Sequence, residues 1–314
     1  MSVFCTGEAL IDMICSDKGS SLKEGLNFVK KPGGAPMNVA AAIGALGGKV
    51  SVCGMVGKDP FGDQLLSVLR DFKVNIDFLF QSEEHFTTFA FVSLMLDGER
   101  DFVFNRDADE YLRMEDLKDL IIENETIFHF GSATAFLGGD LEKTYYGLLE
   151  KAVENNKIIS FDPNYRHLLF SDKIDLFVKH SKNFLAKANF SKLSDEEAYL
   201  ITGKNQLNEA AKELFELSKG VFTITLGKEG TLLGLNGETH IIPSNPIKAV
   251  DTTGAGDAFV GAMLYQLDQI GSVEGLGLKD WKNLTLNANK AGAKTCLYLG
   301  AMEAFKNLNH SIFE

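Results

Sequence analysis

The segment Asp251-Thr252-Thr253-Gly254-Ala255-Gly256-Asp257-Ala258-Phe259 follows a strand-like run, Ile241 to Val250, and opens a long apolar segment, Ala258 to Ile270. It therefore sets Gly254, Ala255, Gly256 and Asp257 at the start of a helix. A helix N-terminus offers unpaired backbone N–H groups and the positive end of a dipole, which together suit an anion such as phosphate. Glycine lets the backbone approach such a ligand closely because no Cβ intervenes. A carboxylate is repelled by phosphate, so Asp257 implies a separate role, that of accepting the proton of a hydroxyl that attacks phosphorus. Taken alone, the segment also reads as a capped helix behind a glycine turn.

Outward from it, strand and helix signals alternate. Val3 to Thr6, Val50 to Val56, Ile127 to Phe130, Ile158 to Phe161, Phe184 to Ala188 and Val221 to Leu226 read as strands. Helical spacing marks Met37 to Leu46, Phe61 to Phe72, Asp140 to Asn155, Asp172 to Lys182, Ser194 to Thr202 and Leu207 to Ser218. Trp281 to Thr295 is a further helix. Pro36 at the start of the first of these and Gly47-Gly48 past its end follow the favoured asymmetry. Alternation of this kind implies right-handed crossovers and a mostly parallel sheet with helices on both faces. Asp12 to Ser16, Gly25 to Lys30, Phe89 to Leu96 and Asp101 to Asn105 read as a small strand lid, with a hairpin turn at Asp97-Gly98. Leu232 to Leu235 and His240 to Ile242 form a second hairpin around Asn236-Gly237. The expectation is one α/β domain over residues 1–314, with the lid inserted from about 12–30 and 87–106.

Composition narrows the function. The 314 residues are 45% hydrophobic and 24% charged, ordinary for a globular protein. A formal net charge of -12 disfavours nucleic acid and acidic membrane surfaces as partners. Cys5, Cys15, Cys53 and Cys296 are scattered, which argues against a zinc site or disulfide scaffold and suits a reducing cytoplasm. The first residues carry Glu8 and Asp12 and lack a basic region, so they do not read as a signal peptide. Apolar runs are too short for a membrane span.

Ligands of open α/β sheets bind beyond the C-terminal strand ends. Gly7 to Asp12, Asp162-Pro163-Asn164-Tyr165-Arg166 and Thr225 to Gly230 all fall at such ends, beside the Gly254 turn. With these segments, the chain resembles the ribokinase-like (PfkB) carbohydrate kinases over essentially its whole length. The matching signatures are Gly33-Gly34-Ala35-Pro36-Met37-Asn38-Val39-Ala40 and Asp251 to Phe259. Within that family it most resembles the bacterial fructokinases, through Gly7-Glu8-Ala9-Leu10-Ile11-Asp12, Gly33 to Pro36 and Arg106-Asp107-Ala108-Asp109.

The resemblance implies an ATP-dependent sugar kinase acting on the 6-hydroxyl of D-fructose, with ATP and magnesium and with potassium as a further candidate ion. Asp257 would be the general base, and Gly254, Ala255 and Gly256 the anion hole. Asp12, Gly33, Gly34 and Asn38 would bind the sugar, with Phe89, Phe91, Phe104 and Arg106 from the lid. Asn164 and Arg166 would lie near the phosphates; a surface salt bridge is the other reading of Arg166. Lys192, Thr225, Gly227 and Gly230 would line the nucleotide, with Asn289, or its competitor Asn287, near adenine. Ser194 stands where the family has asparagine, leaving Glu197 to order magnesium through water. The run Ser194 to Glu197 reads equally as a helix cap. Asp251 and the Thr253 carbonyl would hold potassium, with a loop near Gly300 closing that site.

Competing motifs fall away. Gly57-Lys58 and Gly227-Lys228 are followed by acids and are not P-loops. Phe259 stands where a dinucleotide fingerprint needs a third glycine. His129 lies in an apolar run and reads as a core histidine. The alternatives within the family are 2-keto-3-deoxygluconate, ribose or a nucleoside as acceptor; outside catalysis, a sugar sensor keeps the same fold. An exposed strand lid also offers an edge for a lid-to-lid homodimer.

Overall fold

The computed structural model describes residues 2–95 and 100–313. In chain order the elements are β1 (Val3–Thr6), β2 (Leu10–Cys15), β3 (Phe28–Gly33), α1 (Ala35–Ala45), β4 (Val50–Gly57), α2 (Pro60–Asp71), β5 (Asn75–Ser82), β6 (Phe89–Leu94) and β7 (Arg100–Asn105). They continue with β8 (Ile127–Phe130), α3 (Gly139–Glu154), β9 (Ile158–Phe161), α4 (His167–Phe170), α5 (Ile174–Leu185), β10 (Phe190–Ser194), α6 (Asp195–Thr202) and α7 (Leu207–Leu217). The chain closes with β11 (Val221–Thr225), β12 (Thr231–Leu235), β13 (Glu238–Ile242), α8 (Ala255–Ile270), α9 (Leu278–Thr295) and α10 (Ala301–Phe305).

A nine-stranded sheet runs β13-β12-β11-β10-β9-β8-β1-β4-β5. Its pairs are parallel from β5 to β11 and antiparallel across β11-β12-β13. The central strands are buried on both faces, as strands sandwiched between helix layers must be. On β1 the alternation is visible: Val3 and Cys5 join the core beneath α1, α8 and α9, and Phe4 the core beneath α3, α5 and α6. Gly261 of α8 lets that helix lie against α1, since a Cβ there would sit 2.7 Å from the Ala42 Cβ.

A second sheet, β3-β2-β6-β7, comes from two excursions of the chain. Asp59 ties its root down: the carboxylate caps α2 through the Phe61 and Gly62 N–H groups and also accepts from the Thr87 N–H and hydroxyl. The Asp97-Gly98 turn lies outside the described residues.

Four sequence expectations are corrected. Phe184 and Leu185 close α5, where Phe177, Ser181, Phe184 and Leu185 continue one buried helical stripe; the strand starts at Phe190. The run from Ile241 leaves the sheet after Ile242, because Pro243 and Pro246 have no N–H to give a ladder. Two strands sit later or earlier than their turns suggested, β2 at 10–15 and β3 at 28–33, and the edge strand β5 carried no expectation.

Candidate active site

The C-terminal ends of β1, β8, β9, β10 and β11 open onto one edge, where the N-termini of α1 and α8 also arrive. Gly34 caps α1 with φ 104, and Gly254 caps α8 with φ 79 in the left-handed region. The two helix starts are joined directly: Asn38 Nδ2 donates to Asp257 Oδ2 at 2.8 Å. Burial raises the Asp257 carboxyl against the opposing pull of Asn38, Arg166 and Lys192. The Asn38 amide oxygen is buried without a partner among the described residues.

Asp12 reaches the same field from the small sheet. Burial pushes its carboxyl up to about 6, against the Arg166 guanidinium, which pulls it down. Asp12 Oδ2 lies directly over Gly33, where no Cβ would fit. Arg166 is exposed, donates to the Tyr165 carbonyl at 3.2 Å and makes no ion pair among the described residues. The surface salt bridge weighed for it is therefore not what holds it; its charge pulls the Asp12 and Asp257 carboxyls down.

Behind Asp257 lies a buried charged cluster. Lys192 Nζ sits 3.2 Å from Asp162 Oδ2. Burial would lower the Lys192 ammonium, but Asp162, Glu197 and Asp257 together raise it. Asp162 is itself raised by burial, with Lys192 opposing. Glu197 forms the capping box with Ser194: the Glu197 N–H donates to Ser194 Oγ at 3.1 Å, and the Ser194 N–H to Glu197 Oε2 at 2.7 Å. Its other oxygen accepts the Tyr165 N–H at 2.8 Å, so Glu197 also fixes the loop after β9. Asn164, at φ 51, is buried and donates to the Gly131 carbonyl at 2.8 Å.

At the α8 turn, Asp251 Oδ1 accepts the Thr253 N–H and hydroxyl at 2.9 and 2.7 Å, and Oδ2 accepts the Gly300 N–H at 2.8 Å. The loop near Gly300 thus meets Asp251, which also holds Thr253. Gly227 and Gly230 make the turn after β11, and Thr225 donates to the Leu193 carbonyl at 3.3 Å. Gly230 is required by close approach, since a Cβ would lie 2.8 Å from the Ser244 nitrogen.

Two expected contacts change. Register places Phe104 with Ala90 and Asp12 on one face of the small sheet, and Phe89 and Phe91 on the other. Phe89 packs edge-on against Phe61 at 4.8 Å, and Phe91 against Phe28 at 6.5 Å, so both belong to the α2 side. Asn289 has spent its amide: it accepts from the Thr231 hydroxyl at 2.6 Å and donates to the Ile242 and Pro243 carbonyls. It holds the β12–β13 end in place, and Asn287 bonds Gln266. His129 is a core residue, bonded to Ser160 at 3.1 Å and pushed down to about 3 by burial.

Residues 1–307 match the model of the pfkB family carbohydrate kinases. The chain belongs to this family. It is a phosphotransferase with a sugar acceptor. The kinase is 35% identical over 303 residues to a probable fructokinase-4 of Arabidopsis thaliana, covering 95% of this chain and 91% of that one. Fructokinase-1 of Oryza sativa subsp. japonica is 35% identical over 302 residues, covering 94% and 92%. Among solved structures, a double mutant of fructokinase from Vibrio cholerae O395, bound to fructose, ADP and potassium ion, superimposes with TM-score 0.84. That comparison covers 99% of this chain and 96% of the other at 28% identity.

Sequence reasoning assigned no role to three buried acids of this kinase. Glu8 accepts from the Ala35 N–H at 3.1 Å, the Ser132 hydroxyl at 2.6 Å and the Ala133 N–H at 3.3 Å, locking the α1 start to the loop after β8. Asp109 accepts from Thr134 at 2.8 Å and from Arg106 Nε at 3.1 Å, and Asp162 pairs Lys192. Each lies inside a segment already singled out; the available signal was a lone acid beside an apolar run. Glu8→Ala strands three donors, each costing roughly 1–3 kcal/mol with partial relief by relaxation. A loss of about 2–4 kcal/mol in urea unfolding is expected.

Proposed function

We propose that the kinase transfers the γ-phosphoryl group of ATP to the 6-hydroxyl of D-fructose, with Asp257 as general base. The observation that carries this reading is the half-buried Asp257 carboxylate in the first turn of α8, held by Asn38 at 2.8 Å beside the glycine turn. Asp12, Gly33, Gly34, Asn38, Phe104, Arg106 and Asn164 form the sugar side. Arg166, Lys192, Ser194, Thr225, Gly227 and Gly230 form the nucleotide side. As the bond from O6 to phosphorus forms and the bond from phosphorus to the β–γ bridging oxygen breaks, Asp257 takes the hydroxyl proton. The N–H groups of the 254–256 turn and Arg166 receive the developing charge. The small sheet would close as a lid and exclude water from the donor.

Both Glu197 oxygens take a backbone N–H, and each keeps a lone pair that suits a water bound to magnesium. Bound there, magnesium neutralises phosphate charge. Asp251 and Thr253, joined to the Gly300 loop, suit potassium, and the Vibrio cholerae relative was crystallised with that ion.

The fructose assignment draws on the relatives named fructokinase and on the fructose-bound relative. A second acceptor is favoured by one feature. Arg106 donates to Asp109 and to the Gly138 carbonyl at 3.0 Å, while its Nη2 is buried without a partner among the described residues. That donor would meet the carboxylate of 2-keto-3-deoxygluconate as well as a hydroxyl. The test is ADP release with Mg-ATP and potassium on each sugar, with phosphorus–proton coupling locating the phosphate in the product. Turnover on the acid sugar alone would reject fructose; release of ADP without a 6-phosphate would reject the position.

A pH dependence follows from Asp12. The carboxylate form accepts sugar hydroxyls, and it is lost as pH falls through about 6. Fructose affinity in calorimetry is expected to weaken by about tenfold per pH unit below that point. Asp12→Asn is expected to bind weakly and to flatten this slope. An unchanged slope in the variant would assign it to Asp257 instead.

A further inference from the structure

We propose that Lys192 is a catalytic residue whose ammonium, held by Asp162 in the free protein, donates to an oxygen of the transferring phosphoryl group. The inference rests on the kinase reading above and gives that site a donor that its glycine turn does not contain.

Four observations carry it. Lys192 is 8% exposed in the middle of β10, a position where an apolar side chain would pack at lower cost. Its Nζ pairs with Asp162 at 3.2 Å, its one ion-pair partner among the described residues. An ammonium has three donors, so the remainder are free to point elsewhere. The side chain is also the cation that Asp162, Glu197 and Asp257 share. Without it, three carboxylates would face an incoming polyphosphate. Finally, a Cβ built on Gly256 would lie 3.3 Å from Lys192 Nζ, which sets the ammonium at the rim of the backbone N–H cradle.

A purely structural lysine would end its work at Asp162. Here the geometry adds a second target. Asp162 holds Nζ beside the Gly256 turn, where the transferring phosphoryl oxygens would carry their charge as the bond to the bridging oxygen breaks. Asp162 is thus a positioning residue and Lys192 the group that touches substrate. The ammonium keeps its proton throughout; the only proton that moves is the one Asp257 takes.

The test compares wild type with Lys192→Met, Lys192→Arg and the double variant Lys192→Met/Asp162→Asn, which removes both members of the ion pair. Turnover, fructose affinity, and Mg-ATP and Mg-ADP affinities by calorimetry are read for each. Lys192→Met is expected to lose about 10²–10³ in kcat and to keep its fructose affinity. Only ATP carries the γ-phosphoryl group, so its affinity is expected to drop by about tenfold more than that of ADP. Lys192→Arg should recover part of both. The double variant should fold and stay as slow as Lys192→Met. A double variant that recovers near wild-type turnover would overturn the inference, because Lys192 would then only neutralise Asp162. If wild type turns over neither sugar, the kinase assignment to fructose fails, and the nucleotide comparison still decides: equal losses for ATP and ADP would also remove Lys192.

Discussion

Asp257→Asn is expected to lower kcat by about 10²–10⁴ while fructose affinity stays close to wild type. The substitution keeps volume and an oxygen able to accept from Asn38 Nδ2, now at 2.8 Å, so the junction of α1 and α8 survives. What goes is the ability to hold a proton from the sugar hydroxyl at the moment bonding to phosphorus develops. Burial has already raised this carboxyl above its ordinary range, which makes it a better base than a solvent-exposed aspartate. The loss should therefore fall on kcat, with KM nearly unmoved, the signature of a group that acts only in the transition state. Product formation from fructose and ATP, measured beside fructose calorimetry, separates the two. Wild-type turnover in the variant would remove Asp257 as the base.

The second large effect is expected at Gly256. Gly256→Ala keeps its N–H but sets a Cβ in the cradle that holds the phosphoryl oxygens off the turn; kcat should fall by about 10²–10³, the scale of one oxyanion donor put out of reach. Its fold should be nearly unaffected, because the added Cβ meets only Lys192 Nζ, at 3.3 Å, the movable end of a flexible side chain. Gly254 behaves differently. Its φ is 79, and a Cβ there would press against Ala301 at 2.5 Å, so Gly254→Ala would disturb α10 as well as the turn. Position 256 is thus the cleaner probe of the phosphoryl cradle. Full activity with an unchanged melting temperature would place the transferring group elsewhere.

The layered fold was legible because buried parallel strands announce themselves as short apolar runs. Val3–Thr6, Ile127–Phe130 and Ile158–Phe161 were read to the residue. The failure at Phe184-Leu185 came from the same signal: a short apolar pair looks alike at a helix end and in a strand, and only the stripe through Phe177 and Ser181 tells them apart. In the site, glycine turns and polar loop residues stood out by chemistry, and the structure brings Asn38 to Asp257 and Arg166 toward Asp12. Side-chain direction did not stand out. Phe89 and Phe91 differ from Phe104 only by strand register, which depends on pairing partners distant in the chain. Asn289 illustrates another limit: an amide suited to a ligand suits three protein partners equally well.

The Asn38–Asp257 hydrogen bond spans 219 positions of sequence. On the reading proposed above, what recognises the acceptor is inherited mainly from residues ahead of α3, and what handles the donor comes mainly from the loops after β9. Within the site, this amide and carboxylate join the two halves. Descendants of such a chain could exchange one sugar for another by editing the first half alone, through β2, β3 and the Arg106 loop, and leave the phosphoryl chemistry intact. A lineage so divided would diversify in what it phosphorylates far faster than in how it does so.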